Sequence, residues 1–190
     1  MKKLLLLNIT LLALTTLFTQ AYALTITPGA TAGAGDEILW GNDTSQSKID
    51  AVLADYDSGA GVGSELYKSE VGGGEFGPLA GSYETLFFNT VTDPKDAFIT
   101  YTGGSFISDN PFLLVKDGNH EPAWYLFDLG DLGWDGMDTL ELEDFWPGNG
   151  AISHVTLYGG SNPVPEPATM LLFGIGLIGL AGMSRKTRKK

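Results

Sequence analysis

Phe112-Leu113-Leu114-Val115-Lys116, then Asp117-Gly118-Asn119, and, after Pro122, Trp124-Tyr125-Leu126-Phe127-Asp128, is the stretch on which the fold turns. Asp-Gly accepts the positive φ of a tight turn, so the two runs are expected to form a hairpin whose loop is long enough for a bulge. Every position from Trp124 to Phe127 is apolar, which predicts a central strand covered on both faces. Working outward, short runs bounded by turn residues predict further strands at 36–40, 65–69, 83–88, 97–101, 139–143 and 152–158. Leu140 and Leu142 alternate with Glu141 and Glu143, as in a strand with one wet face. One segment has another period. Ile49, Val52, Leu53 and Tyr56 recur at helical spacing, with Ser47 and Asp50 placed as a capping box, so a helix is expected to cover a sheet edge or a barrel end. The expected fold is all-β, a β-sandwich or jelly-roll-like body with one short helix.

Composition narrows the partners. The chain has 190 residues, 11 Lys+Arg against 23 Asp+Glu, a formal charge of −12, 26 Gly, 9 Pro and no Cys. Its cations gather at the ends, so segment 24–162 keeps only Lys48, Lys68, Lys95 and Lys116 against 22 carboxylates, a formal charge of −18. Such a polyanion repels phosphate backbones and anionic lipid, which excludes nucleic acid as a partner of the body. The lack of cysteine excludes a disulfide framework, a thiol nucleophile and Cys-ligated zinc or iron–sulfur sites.

The ends read as addresses. Lys2 and Lys3, an apolar run over 4–18 and Ala21-Tyr22-Ala23 have the order of a secretory signal, predicted to be cut by signal peptidase after Ala23. Near the other end, 168–183 carries no charge and would span roughly 24 Å as a helix, against roughly 30 Å of hydrocarbon, a deficit that snorkelling can cover. Arg185, Lys186, Arg188, Lys189 and Lys190 follow within 184–190 and hold that side in the cytoplasm, which leaves everything earlier outside. Pro163, Pro165 and Pro167 place the helix start after Pro167. Gly174, Gly176, Gly179 and Gly182 thin one side of the predicted single transmembrane helix, where a second membrane helix can approach.

Val164-Pro165-Glu166-Pro167, then an apolar helix, then a basic terminus, resembles the PEP-CTERM sorting signal of exported bacterial proteins, over 163–190. The resemblance implies recognition by an exosortase, an inner-membrane cysteine enzyme that cuts near Pro-Glu-Pro. It also implies a Gram-negative cell making extracellular polysaccharide. The expected history is a precursor anchored in the inner membrane, then a protein at the cell surface or in the extracellular matrix. The body itself, at 115–118, 122–127, Phe145-Trp146-Pro147 and 150–155, is similar to an ectodomain recurring in PEP-CTERM proteins. That likeness implies a shared fold and nothing about catalysis.

Asp128, Asp131, Asp135 and Asp138 crowd one glycine-rich region, and hard oxygen ligands on loops suit Ca²⁺. Their spacing is not that of an EF-hand, and a solvated acidic turn is the plainer reading. Asp43, Asp50, Asp55 and Asp57 on or beside the helix read as a solvent face. Trp124, Trp134, Phe145 and Trp146 are expected core anchors, with sugar stacking as their functional alternative. His120-Glu121 lacks the helical H-E-x-x-H spacing, His154 lies in a predicted strand, and no nucleophile elbow, P-loop or dinucleotide fingerprint is present. The expected role is therefore not enzymatic but structural or adhesive beside exopolysaccharide. A calcium-dependent carbohydrate-binding module is the main alternative, and a glycoside hydrolase a weaker one.

Overall fold

The computed structural model describes residues 22–29, 35–59, 61–88, 93–117 and 120–162. Most of the signal segment, the sorting motif Val164 to Pro167, the apolar run 168–183 and the basic tail lie outside the described residues. Within them, no helix is long and apolar enough to cross a membrane.

The elements are β1 (Ala23–Ile26), β2 (Leu39–Gly41), α1 (Gln46–Gly59), β3 (Ser64–Glu70), β4 (Glu75–Phe76), β5 (Tyr83–Phe87), β6 (Ala97–Tyr101), β7 (Phe106–Lys116), β8 (Trp124–Asp128), β9 (Thr139–Leu142) and β10 (His154–Asn162). They form a four-stranded sheet, β1-β9-β6-β5, and a six-stranded sheet, β2-β8-β7-β10-β3-β4. All pairs are antiparallel except β1 with β9. The all-β expectation holds. The unequal sheets and the parallel β1–β9 pair differ from the eight-stranded jelly roll.

The opening hairpin pairs Phe112 with Asp128 through Lys116 with Trp124. Alternation sends Leu113, Val115, Tyr125 and Phe127 into the core shared with Ile26, Ile99, Leu140 and Leu142 of the other sheet. Phe112, Leu114, Trp124 and Leu126 point the opposite way, onto Ile49 and Leu53 of α1. Strand β8 is thus covered on both faces, as its unbroken apolar run requires. The helix lies on the outer face of the six-stranded sheet and not at an edge or barrel end, because β7, β8 and β10 supply an apolar outer surface that water would otherwise meet. Its start also differs. Ser45 O accepts from Ile49 N at 3.1 Å, so Ser45 and not Ser47 holds the cap position, and Asp50 Oδ1 accepts from Gln46 Nε2 at 2.8 Å.

Strand β7 begins six residues earlier than the apolar run suggests. Asn110 adopts φ 49°, and the pairing of β7 with β10 shifts register around Gly160, so a bulge carries the strand past Pro111. At this crossing Gly159 has φ 141°, and a Cβ there would stand 2.7 Å from Asp109 O, so only glycine fits. Two tyrosines then pin the sheets together. Tyr83 OH donates to Gly136 O at 2.8 Å and accepts from Ile107 N at 3.0 Å. Tyr67 OH donates to Glu75 Oε1 and shares a hydrogen bond with Thr85 Oγ1, both at 2.7 Å.

Candidate functional site

Two of the four aspartates expected to hold Ca²⁺, Asp128 and Asp135, use their carboxylates locally. Asp128 Oδ1 accepts from Asp131 N at 3.0 Å, and Asp135 Oδ1 accepts from Met137 N at 2.8 Å and from Asp138 N at 2.9 Å. These are Asx turns, in which a short carboxylate satisfies backbone N–H groups that the bend leaves unpaired. The backbone of Asp138 takes part too, its O accepting from Trp134 Nε1 at 2.7 Å. Among the described residues no three carboxylates or histidines form a group that could hold a metal ion. Asp135→Ala is expected to cost about 1–2 kcal/mol, whereas Asp135→Asn, whose amide oxygen still accepts, is expected to retain most of the stability. Urea unfolding of the two variants checks this, since a ligated carboxylate would not be replaceable by an amide.

The four large aromatics pack inward. Trp124, Trp134, Phe145 and Trp146 are all buried. Phe145 and Trp146 stand 6.0 and 5.3 Å from the Tyr125 ring, and Trp146 Nε1 donates to Pro122 O at 2.8 Å. The exposed tryptophan is Trp40 of β2, 43% exposed, which the sequence pattern puts at the end of a longer strand. Strand β2 is shorter because Asp36 and Glu37 turn back to β1: Asp36 Oδ2 accepts from Thr27 N and Glu37 Oε2 from Gly29 N, each at 3.0 Å. Ala23, the residue before the expected cleavage, is the first of β1 and pairs with Thr139; Ala21 lies outside the described residues.

Carboxylates also line a groove of about 690 Å³ between the β3–β4 hairpin and edge strand β5, among them Glu70, Glu75 and Glu84. Glu75 Oε1 is committed there, accepting from Tyr67 OH and from Thr85 N at 2.9 Å. This clasp, which sequence reasoning does not find, joins the edges of both sheets; the Gly72-Gly73-Gly74 turn before β4 is its one local signal. Burial pushes the Tyr67 hydroxyl well above the usual phenol range and that of Tyr83 up to about 12, so both stay protonated donors. The second acidic group behaves as a solvent face: Asp43, Asp50 and Asp55 are exposed, and Lys48 Nζ meets Asp43 Oδ1 at 2.6 Å.

The histidines part company. His120 is exposed, its Nδ1 3.4 Å from Asp117 Oδ2, and that carboxylate also accepts from Ala151 N at 2.6 Å, fastening the β7–β8 turn to the approach of β10. His154 is buried. Desolvation first, and then Lys68 and Lys116, push its imidazole down to about 4, with Glu70 opposing. A base whose folded pKa lies below its unfolded value binds fewer protons folded than unfolded, so its contribution is complete above about pH 6.5 and is lost as pH falls towards 4. The size of that loss is about 3 kcal/mol. Guanidinium unfolding of wild type and His154→Gln at pH 7.5 and 4.5 is expected to show a smaller pH dependence in the variant; equal slopes would remove His154 from the account.

Residues 163–186 match the family model of the PEP-CTERM protein-sorting motif. No curated protein and no solved structure matches the chain. The match makes the chain an exported protein, an exosortase substrate sorted to the cell envelope or surface.

Proposed function

We propose that this carrier of a PEP-CTERM sorting motif is a structural or adhesive protein of the cell surface or extracellular matrix, acting beside exopolysaccharide and without catalysis of its own. The observation that carries the reading is the sorting motif at 163–186. The body supports it in three ways. Its formal charge of −18 favours a hydrated, well-dispersed surface. Its buried hydrophobic residues form two clusters, one between the sheets and one beneath α1. Glu75, one of the groove carboxylates, is engaged in joining the sheets.

In this reading signal peptidase acts at Ala21-Tyr22-Ala23 and exosortase near Pro165-Glu166-Pro167, with the membrane holding the precursor in between. The calcium-dependent module draws less support, since the carboxylates of Asp128 and Asp135 cap their own turns and the four aromatics are buried. Mass spectrometry of the C-terminus on protein recovered from the cell surface tests the reading, together with co-sedimentation of that protein with the host's exopolysaccharide. A truncated C-terminus near 163–167 and co-sedimentation are expected. A full-length product in the cytosol would overturn export, and reducing sugar released from the polymer would replace the structural role with hydrolysis.

A further inference from the structure

His154, Lys116 and Lys68 meet on the outer face of the six-stranded sheet, beyond the residues on which α1 packs. Strand register brings them together. His154 stands opposite Lys116 of β7 on one side and Glu70 of β3 on the other, and Thr156 stands opposite Lys68. Val155 and Leu157 lie in the core between the sheets, so alternation sends His154 and Thr156 outward, as it does Lys116 beside Val115. Two of the four lysines in a body with 22 carboxylates therefore converge on one imidazole.

That imidazole has an unmet need. His154 is 8% exposed, and its Nε2 has no hydrogen-bond partner among the described residues. Trp124, next beyond Lys116 in the same cross-strand row, also buries an Nε1–H with no acceptor among the described residues. Native proteins hold few such atoms, because each costs about 1–3 kcal/mol. The charged groups facing His154 are Lys68, Lys116 and Glu70. Glu70, partly exposed, is held by Lys68 Nζ at 2.6 Å. Lys116 Nζ donates to Asp117 O at 3.1 Å, while Asp117 Oδ2 is turned to Ala151 N.

We infer that this row is an oxyanion-binding site, in which a carboxylate or sulfate group accepts from His154 Nε2–H and lies between the ammonium groups of Lys68 and Lys116. A carboxylate or sulfate group suits it, since two ammonium groups face the imidazole against the single carboxylate of Glu70. An acidic sugar of an extracellular polymer and a free small carboxylate offer the same chemistry. The site is independent of the structural role proposed above, and either can fail without the other.

The test uses full-length protein in detergent with ¹⁵N-labelled histidine, titrated at pH 7 with acetate, sulfate and an oligogalacturonate. A saturable shift of the His154 Nε2 resonance is expected, with a rise in the pH at which it titrates, because a bound anion favours imidazolium. Lys68→Met is expected to weaken binding at least about tenfold. Lys116→Met tests the buried partner, and Lys48→Met, on exposed α1, is expected to change nothing. Saturation by acetate and oligogalacturonate at equal carboxylate concentration would indicate a free oxyanion, and a preference of about tenfold or more for the oligomer would indicate glycan; both sustain the site. No shift up to about 100 mM of any anion, or the same shift in Lys68→Met, would overturn it.

Discussion

Phe127→Ala is expected to destabilise the body by about 3–5 kcal/mol, the largest effect of any single truncation proposed for this protein. Phe127 is fully buried at the centre of β8, in the core the two sheets share. Its ring stands 5.8 Å from Phe145 and 6.4 Å from Tyr125, both of which would lose an aromatic neighbour. Tyr125 is held by the ladders on both sides of β8 and Phe145 N donates to Lys95 O, so neither can collapse into the space, and the cavity penalty adds to the lost transfer energy. Urea unfolding should show a lower midpoint at nearly unchanged slope. Phe76→Ala is the comparison: that side chain is 49% exposed on edge strand β4, and its loss is expected to change stability by less than about 0.5 kcal/mol. Equal costs at the two sites would mean that the inter-sheet core is not what holds the fold.

Replacing Pro165, Glu166 and Pro167 with alanine together is expected to abolish processing and leave a membrane-bound, full-length precursor. The sorting motif covers these residues, and the substitutions remove two of its three prolines along with the one carboxylate between them. Replacing Arg185, Lys186, Arg188, Lys189 and Lys190 with glutamine should act differently, by removing the charges expected to keep the end on the cytoplasmic side. Fractionation and intact mass distinguish the two variants: the first retains its tail at the membrane, and the second loses its fixed orientation. A normally shortened protein at the cell surface from the first variant would mean that the motif does not direct processing.

Much of the architecture is legible in the sequence because strands announce themselves locally. The run from Trp124 to Phe127 reads as covered on both faces, since burying every position leaves no polar alternation. By the same rule Leu140 and Leu142, alternating with Glu141 and Glu143, read as a strand with one face towards water. Other elements carry no such mark. Residues 75–76 are strand only because β3 lies beside them, and Ala23–Ile26 only because β9 offers a parallel edge. The candidate chemistry divides in the same way. The aspartates are visible as a cluster in sequence, but a hydrogen bond from Asp138 N to Asp135 Oδ1 is a fact of turn geometry that composition does not contain.

The sequence by itself carried the export address, because the sorting motif at 163–186 is a local run of residues read along the chain, and it determined the all-β class, because side-chain alternation is a property of neighbours along the chain. Only the tertiary structure decided which face α1 would cover, that Glu75 would clasp Thr85, and that His154 would meet Lys116 and Lys68. Those meetings depend on strand order and register across long separations in sequence, and a shift of one residue in β10 would turn His154 into the core and Val155 out of it.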